Sequence, residues 1–98
     1  MDDTTLQVTT RSSAGEELVL AVEGYLDEDG GFTLARETRT ARLADHRHIC
    51  IDLAAVCLFN CSGARHLISL LHDLSRSGCQ VNLVGVHLPL QRLLDLAA

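Results

Sequence analysis

The sequence contains no lysine and no tryptophan, one proline, one methionine, and only Tyr25, Phe32 and Phe59 as aromatic residues. Three aromatics are too few for a platform that stacks nucleic-acid bases. The eight basic residues are all arginine and scattered, and the net charge is −5, so the basic patch that a phosphate backbone requires is missing. Arginine without lysine, with many Ala and Leu, is the codon signature of a GC-rich genome and says little about mechanism. No apolar run approaches the ~18 residues of a membrane span. The start Met1-Asp2-Asp3-Thr4-Thr5 is acidic and polar, with none of the apolar run of a secretory signal. A cytoplasmic protein is the expectation. Of the metal-type spacings, neither Cys-x-x-Cys nor His-x-x-x-His occurs.

What remains is an ordinary globular chain, 47% hydrophobic and 21% charged. Its 98 residues suffice for one domain, 1–98, with a modest core. Cys50, Cys57 and Cys79 read as buried, inert thiols in a reducing compartment.

Hydrophobic periodicity predicts the order β-β-α-β-α-β-α. Leu6 to Thr10 and Leu18 to Val22 read as a hairpin around Ser12-Ser13-Ala14-Gly15. Gly24-Tyr25-Leu26-Asp27 ends it, and Asp29-Gly30-Gly31 reads as a flexible loop. A helix follows from Phe32 to about Ala44, with Leu34, Ala35, Thr38 and Ala41 on its inner face. His48 to Leu53 reads as a strand buried on both faces. Ala64, Leu67, Ile68, Leu71 and Leu74 mark a strongly amphipathic helix that Gly78 stops. Val81 to Val86 is a last strand, and Pro89 suits the first turn of a last helix carrying Leu90, Leu93, Leu94 and Leu96. Strands alternating with helices predict an α/β fold, a mixed β-sheet with parallel neighbours packed against helices.

The local feature that stands out is Phe59-Asn60-Cys61-Ser62-Gly63, between a strand and the long helix. Backbone amides at a helix start favour negative charge. Simple capping by Asn60 or Ser62 accounts for the turn on local physics alone. Cys61 as a nucleophile lacks support, because a cysteine phosphatase loop needs arginine where Leu67 stands; no catalytic residue is assigned, and no enzyme activity or cofactor is expected. A metal site from Cys57, Cys61 and His66, with His46 or His48, lacks the usual spacing. Asp27 reads as a helix-start carboxylate, or as a loop carboxylate beside the Cys61 turn.

In order along the chain, five segments resemble the STAS domain of bacterial anti-sigma factor antagonists. Gly24-Tyr25-Leu26-Asp27 resembles the family's Gly-x-Leu-Asp, and Ile49 to Leu53 with Val56 its strand ending Asp-Leu-x-x-Val. Phe59 to Gly63 resembles its (Asp)-Ser-(Ser/Thr)-Gly turn. Leu83-Val84-Gly85-Val86 and Leu90-Gln91-Arg92-Leu93-Leu94 resemble its last core strand and the Arg-Leu-Leu helix. The resemblance spans roughly residues 6–98 and implies a STAS-like fold and partner switching. An unphosphorylated STAS antagonist binds an anti-sigma factor of the histidine-kinase-like ATPase type and so frees a sigma factor. That partner, acting as a serine kinase, then phosphorylates the first Ser of the turn and ends the complex. Here Cys61 holds the phosphoacceptor position and Asn60 that of the Asp, while Ser62 offers an alternative phosphosite. The family often continues with a further strand and helix beyond the position of Ala98. By the resemblance, the partner is met through the 24–33 loop and the 60–66 helix start: Asp27, Asn60, Cys61, Ser62, Gly63, Arg65 and His66. Two other readings keep the fold: a scaffold or small-ligand and nucleotide-sensing module, and a redox sensor at Cys61 with Cys57 as resolving thiol.

Overall fold

The computed structural model describes residues 5–12, 17–43 and 48–97, apart from the side chains of Ser12, Ala41, Arg42, Leu43, Cys57, Leu58 and Ala97. The element order is β1 (Gln7–Ser12), β2 (Glu17–Leu26), α1 (Glu28–Leu43), β3 (His48–Phe59), α2 (Cys61–Arg76), β4 (Gln80–Val84) and α3 (Leu88–Ala97). That is the order expected from the periodicity. The strands form one four-stranded sheet in the order β1-β2-β3-β4. β1 pairs with β2 antiparallel, as the hairpin reading required, while β2, β3 and β4 run parallel.

Two β-α-β crossovers step in the same direction across this sheet. With a common right-handed sense they place α1 and α2 on the same face. One core results. Leu18, Leu20, Val22 and Leu26 of β2 and Ile49, Ile51, Leu53 and Val56 of β3 meet Leu34 of α1, Leu67 and Leu74 of α2 and Leu90 of α3. Each such leucine or isoleucine withdrawn from water contributes about 1.5–3 kcal/mol before the entropy of ordering it is subtracted. Thr38 is buried in the same core, where its hydroxyl donates to the Leu34 carbonyl at 2.7 Å.

The expectation that His48 to Leu53 is buried on both faces is therefore wrong. Among the described residues the second face carries no helix, and the segment alternates: Ile49, Ile51 and Leu53 point inward, while His48, Cys50 and Asp52 are only half-buried. Cys50 is correspondingly half-buried and not a core thiol, whereas Cys79 is buried as expected.

β3 outruns the six residues assigned to it because it stays paired with β2 as far as Phe59, and it is bulged on the way. Its pairing with β2 shifts register at Ala21/Glu23 and again at Gly24/Tyr25. At the first shift the Ala54 amide donates to Asp52 Oδ1 at 3.0 Å, and His87 Nε2 lies 3.0 Å from the Ala54 carbonyl oxygen. A carbonyl can only accept, so the His87 Nε2 carries the proton. The bulge thus keeps both backbone groups of Ala54 satisfied, with Gly85 at φ +69° packed against it.

Candidate functional site

β2 and β3 end together, Leu26 opposite Phe59, and hand over directly to Glu28 and Cys61, whereas β4 ends earlier, Val84 opposite Asp52. The starts of α1 and α2 therefore share one end of the sheet. Asn60, the single residue between β3 and α2, fixes the start of α2. Its backbone is extended (φ −126°, ψ 176°), and its side-chain oxygen accepts from the Gly63 amide at 2.8 Å. Its side-chain nitrogen donates to the Tyr25 hydroxyl at 3.3 Å, and its own amide donates to the Leu26 carbonyl at 3.1 Å. The capping reading is correct. Such a cap contributes about 1 kcal/mol.

Gly63 lies in the first turn of α2, where a Cβ would overlap the carbonyl group of Leu26. The helix therefore starts directly on the end of β2. This contact brings the Asp27 and Asn60–Gly63 turns side by side, a placement the sequence leaves open. Asp27 is itself a cap: its Oδ1 accepts from the Gly30 amide at 2.7 Å, and its carbonyl accepts from the Gly31 amide at 2.8 Å.

Residues 24–33 are thus not a loop. Gly24 to Leu26 complete β2, and Glu28 to Thr33 form the first turns of α1. Gly30 and Gly31 are small because neighbours approach closely. A Cβ on Gly30 would sit 2.7 Å from the Tyr25 carbonyl oxygen, and one on Gly31 would run into His66.

Cys61, Ser62 and Arg65 are exposed, Asn60 and His66 are half-buried, and Gly63 is buried. His66 stacks on Phe32 across the α1–α2 seam, with ring centroids 4.5 Å apart and planes tilted by 51°. Phe32 keeps 57% of its surface in water. Sequence reasoning missed Phe32 as a surface feature. Its one signal was an aromatic on the outward side of a helix otherwise poor in large apolar residues. Glu28, Ser62, Arg65, His66 and Ser69 line an open cleft of about 400 Å³ beside this stack.

Among the described residues no group of three His, Cys, Asp or Glu side chains is placed to hold a metal ion. The side chain of Cys57, the resolving thiol of the redox reading, and the whole of His46 lie outside the described residues. The thiols differ in environment. Burial, then the carboxylates of Glu17 and Asp52, push the Cys50 thiol up. Cys61 is exposed. At neutral pH iodoacetamide should label Cys61 before Cys50 and Cys79, because Cys61 is exposed, the raised Cys50 thiol holds less thiolate, and Cys79 is buried. Peptide mass mapping of a time course checks this. Equal rates for Cys50 and Cys61 would contradict the described burial.

The STAS domain model matches residues 5–98, nearly the whole chain. The chain belongs to the STAS domain family. Solved structures of anti-sigma factor antagonists share the fold. SpoIIAA in its unphosphorylated form superposes with a TM-score of 0.73 at 13% identity, over 92% of this chain and 83% of that one. An antagonist STAS domain from Rhodobacter sphaeroides gives 0.67 at 23% identity, over 86% and 90%. An antagonist from Mycobacterium paratuberculosis gives 0.69 at 18% identity, over 91% and 74%. No curated protein sequence matches this STAS domain. No helix among its described residues is long and apolar enough to cross a membrane.

Proposed function

We propose that this STAS domain is an anti-sigma factor antagonist. It binds a kinase-type anti-sigma factor through the start of α2 and the adjoining first turns of α1, and acts by occupancy without turnover. The observation that carries this is the exposure of Cys61 and Ser62 at the turn that resembles the family's phosphoacceptor turn, with the exposed Phe32 packed on the same helix through His66. The cap, the close Gly63 packing and the His66–Phe32 stack supply a firm base under that surface.

The off-switch of the family transfers phosphate to a serine hydroxyl, and a thiol is not such a substrate. With Cys61 in that place the complex persists, and control passes to the amount of protein made. Mixing the protein with candidate kinase-like anti-sigma factors, ATP and Mg²⁺ tests this, read by size-exclusion chromatography and intact mass. The expected result is a stable complex and no phosphate on the natural chain. Cys61→Ser should gain one phosphate and leave the complex. Uptake of phosphate by the natural chain at Ser62 would move the switch by one residue and end the persistent-complex reading. Absence of any complex would sink antagonism itself.

The cleft lined by Glu28, Ser62, Arg65, His66 and Ser69 favours one second reading, a module that senses a nucleotide or small anion. A ligand bound only by the native state raises the melting temperature, so a thermal-shift screen with nucleotides separates the two.

A further inference from the structure

Ser62, Arg65, His66 and Ser69 stand at i, i+3, i+4 and i+7 and so share one face of α2. Glu28 and Phe32, one turn apart, share one face of α1. The two faces meet where Phe32 stacks on His66. Both helices are interior to the chain, α1 between β2 and β3 and α2 between β3 and β4. Exposed large apolar side chains among the described residues are Phe32, Val84, Leu88 and Leu96. Phe32 is the aromatic one; the others lie on β4 and α3. A single exposed apolar residue is ordinary on a protein surface. Phe32 differs in being held still from two sides. Its ring rests on His66, and Gly31 beside it lies so close to His66 that a Cβ has no room.

Exposed charges of opposite sign flank the ring. Glu28 on α1 and Arg65 on α2 both line the cleft beside the stack. The first turn of α1 is acidic, with Glu28 and Asp29, whereas that of α2 carries no acid. The positive end of the α2 dipole therefore adds to Arg65. The rim around Phe32 is negative along α1 and positive along α2.

Resting on the antagonist reading, we infer that Phe32 is the anchor of the complex and Arg65 the charge that orients it. The occupant is a partner protein with an apolar pocket for one phenyl ring and a carboxylate on the side of that pocket that meets α2. An aromatic side chain in a desolvated pocket, ringed by polar groups that exclude water, is the usual centre of a protein interface. A ring with two side-chain torsions, already stacked, loses little freedom on docking. The rim charges decide which way round the partner sits, because the reversed orientation would set its carboxylate against Glu28. Ser62 precedes His66 by one turn on the same face of α2. The anchor and the turn that resembles the phosphoacceptor turn thus fall within one footprint.

Surface plasmon resonance tests this, with the kinase-like anti-sigma factor that the natural chain retains as the probe. Phe32→Ala should weaken the complex by about 100-fold, chiefly through faster dissociation, at an unchanged circular dichroism spectrum. Phe32→Gln keeps a helix-forming stem against His66 and removes the apolar ring, so it carries the test should Phe32→Ala prove unstable; it should bind as weakly. Arg65→Glu should weaken the complex by about tenfold, mainly through slower association, and salt should shrink that deficit. Arg39→Ala, exposed about two turns further along α1, should bind as the natural chain does. Binding by folded Phe32→Ala or Phe32→Gln within about threefold of the natural chain overturns the inference and leaves the antagonist reading standing. So does a dimer of the chain alone that Phe32→Ala dissolves, because a second copy then occupies this surface. Absence of any complex with the natural chain sinks both, so the two failures are told apart.

Discussion

Gly63→Ala should unfold the domain or leave it barely stable. The added methyl has nowhere to go: it would overlap the Leu26 carbonyl and stand 2.9 Å from the Asp27 amide nitrogen, and all of these are backbone atoms in a paired strand end and a helix cap. A flexible side chain could swing aside; a strand end held by the Asn60 amide cannot. Relief requires lifting the start of α2 off the sheet, which strips Ala64 and Leu67 from the core and breaks the Asn60–Leu26 hydrogen bond. We expect a loss of about 4 kcal/mol or more, in a domain whose total stability is roughly 5–15 kcal/mol. Gly78→Ala is the comparison. Its φ of +84° strains any other residue, yet open space surrounds the site, so the cost should stay near 1–2 kcal/mol. Urea unfolding followed by circular dichroism measures both. If Gly63→Ala cost no more than Gly78→Ala, the contact with β2 would be looser than described.

Cys61→Asp should raise stability while abolishing the proposed complex. Cys61 is the first residue of α2, and that helix has no acidic residue in its first turn. A carboxylate there meets the positive end of the helix dipole and should add about 0.5 kcal/mol. At the centre of a protein–protein contact the same charge is stripped of water without a partner, a penalty of about 3 kcal/mol, or roughly 100-fold in affinity. Opposite signs make this a strict test, since a merely damaged fold loses both. An unchanged melting temperature with full binding to the partner would mean that the start of α2 lies outside the interface. Cys61→Ala, which adds no charge, should bind nearly as the natural chain does.

The sequence carries the strand and helix order clearly because the decisive signals are local. Leu67, Leu71 and Leu74 repeat at helical spacing, and Asn60 sits where a cap belongs. Other features depend on what lies across the fold. Asp29-Gly30-Gly31 has loop composition, yet it is helical because Asp27 caps it and because Tyr25 and His66 leave no room for side chains. His48 to Leu53 looked continuously apolar only while Cys50 counted as a core residue. Once the crossovers are known to leave one face open, the alternation with Asp52 and His48 is plain. The contact between Phe32 and His66 joins two helices far apart in sequence, and periodicity holds no trace of it. The candidate residues from Asp27 to His66 do gather at one end of the sheet.

The carbonyl oxygen of Leu26 is where the two helix starts meet. It accepts the Asn60 amide and is the surface on which Gly63 rests, and the very next residue caps α1. The two helix starts are thereby fixed to a common point before any encounter. A partner docking there has little loop to freeze, so the entropy lost on association is confined to the exposed side chains, chiefly Phe32 and Arg65. Recognition at such a surface approaches rigid-body docking, and differences in affinity among related chains should then appear in how fast complexes fall apart more than in how fast they form.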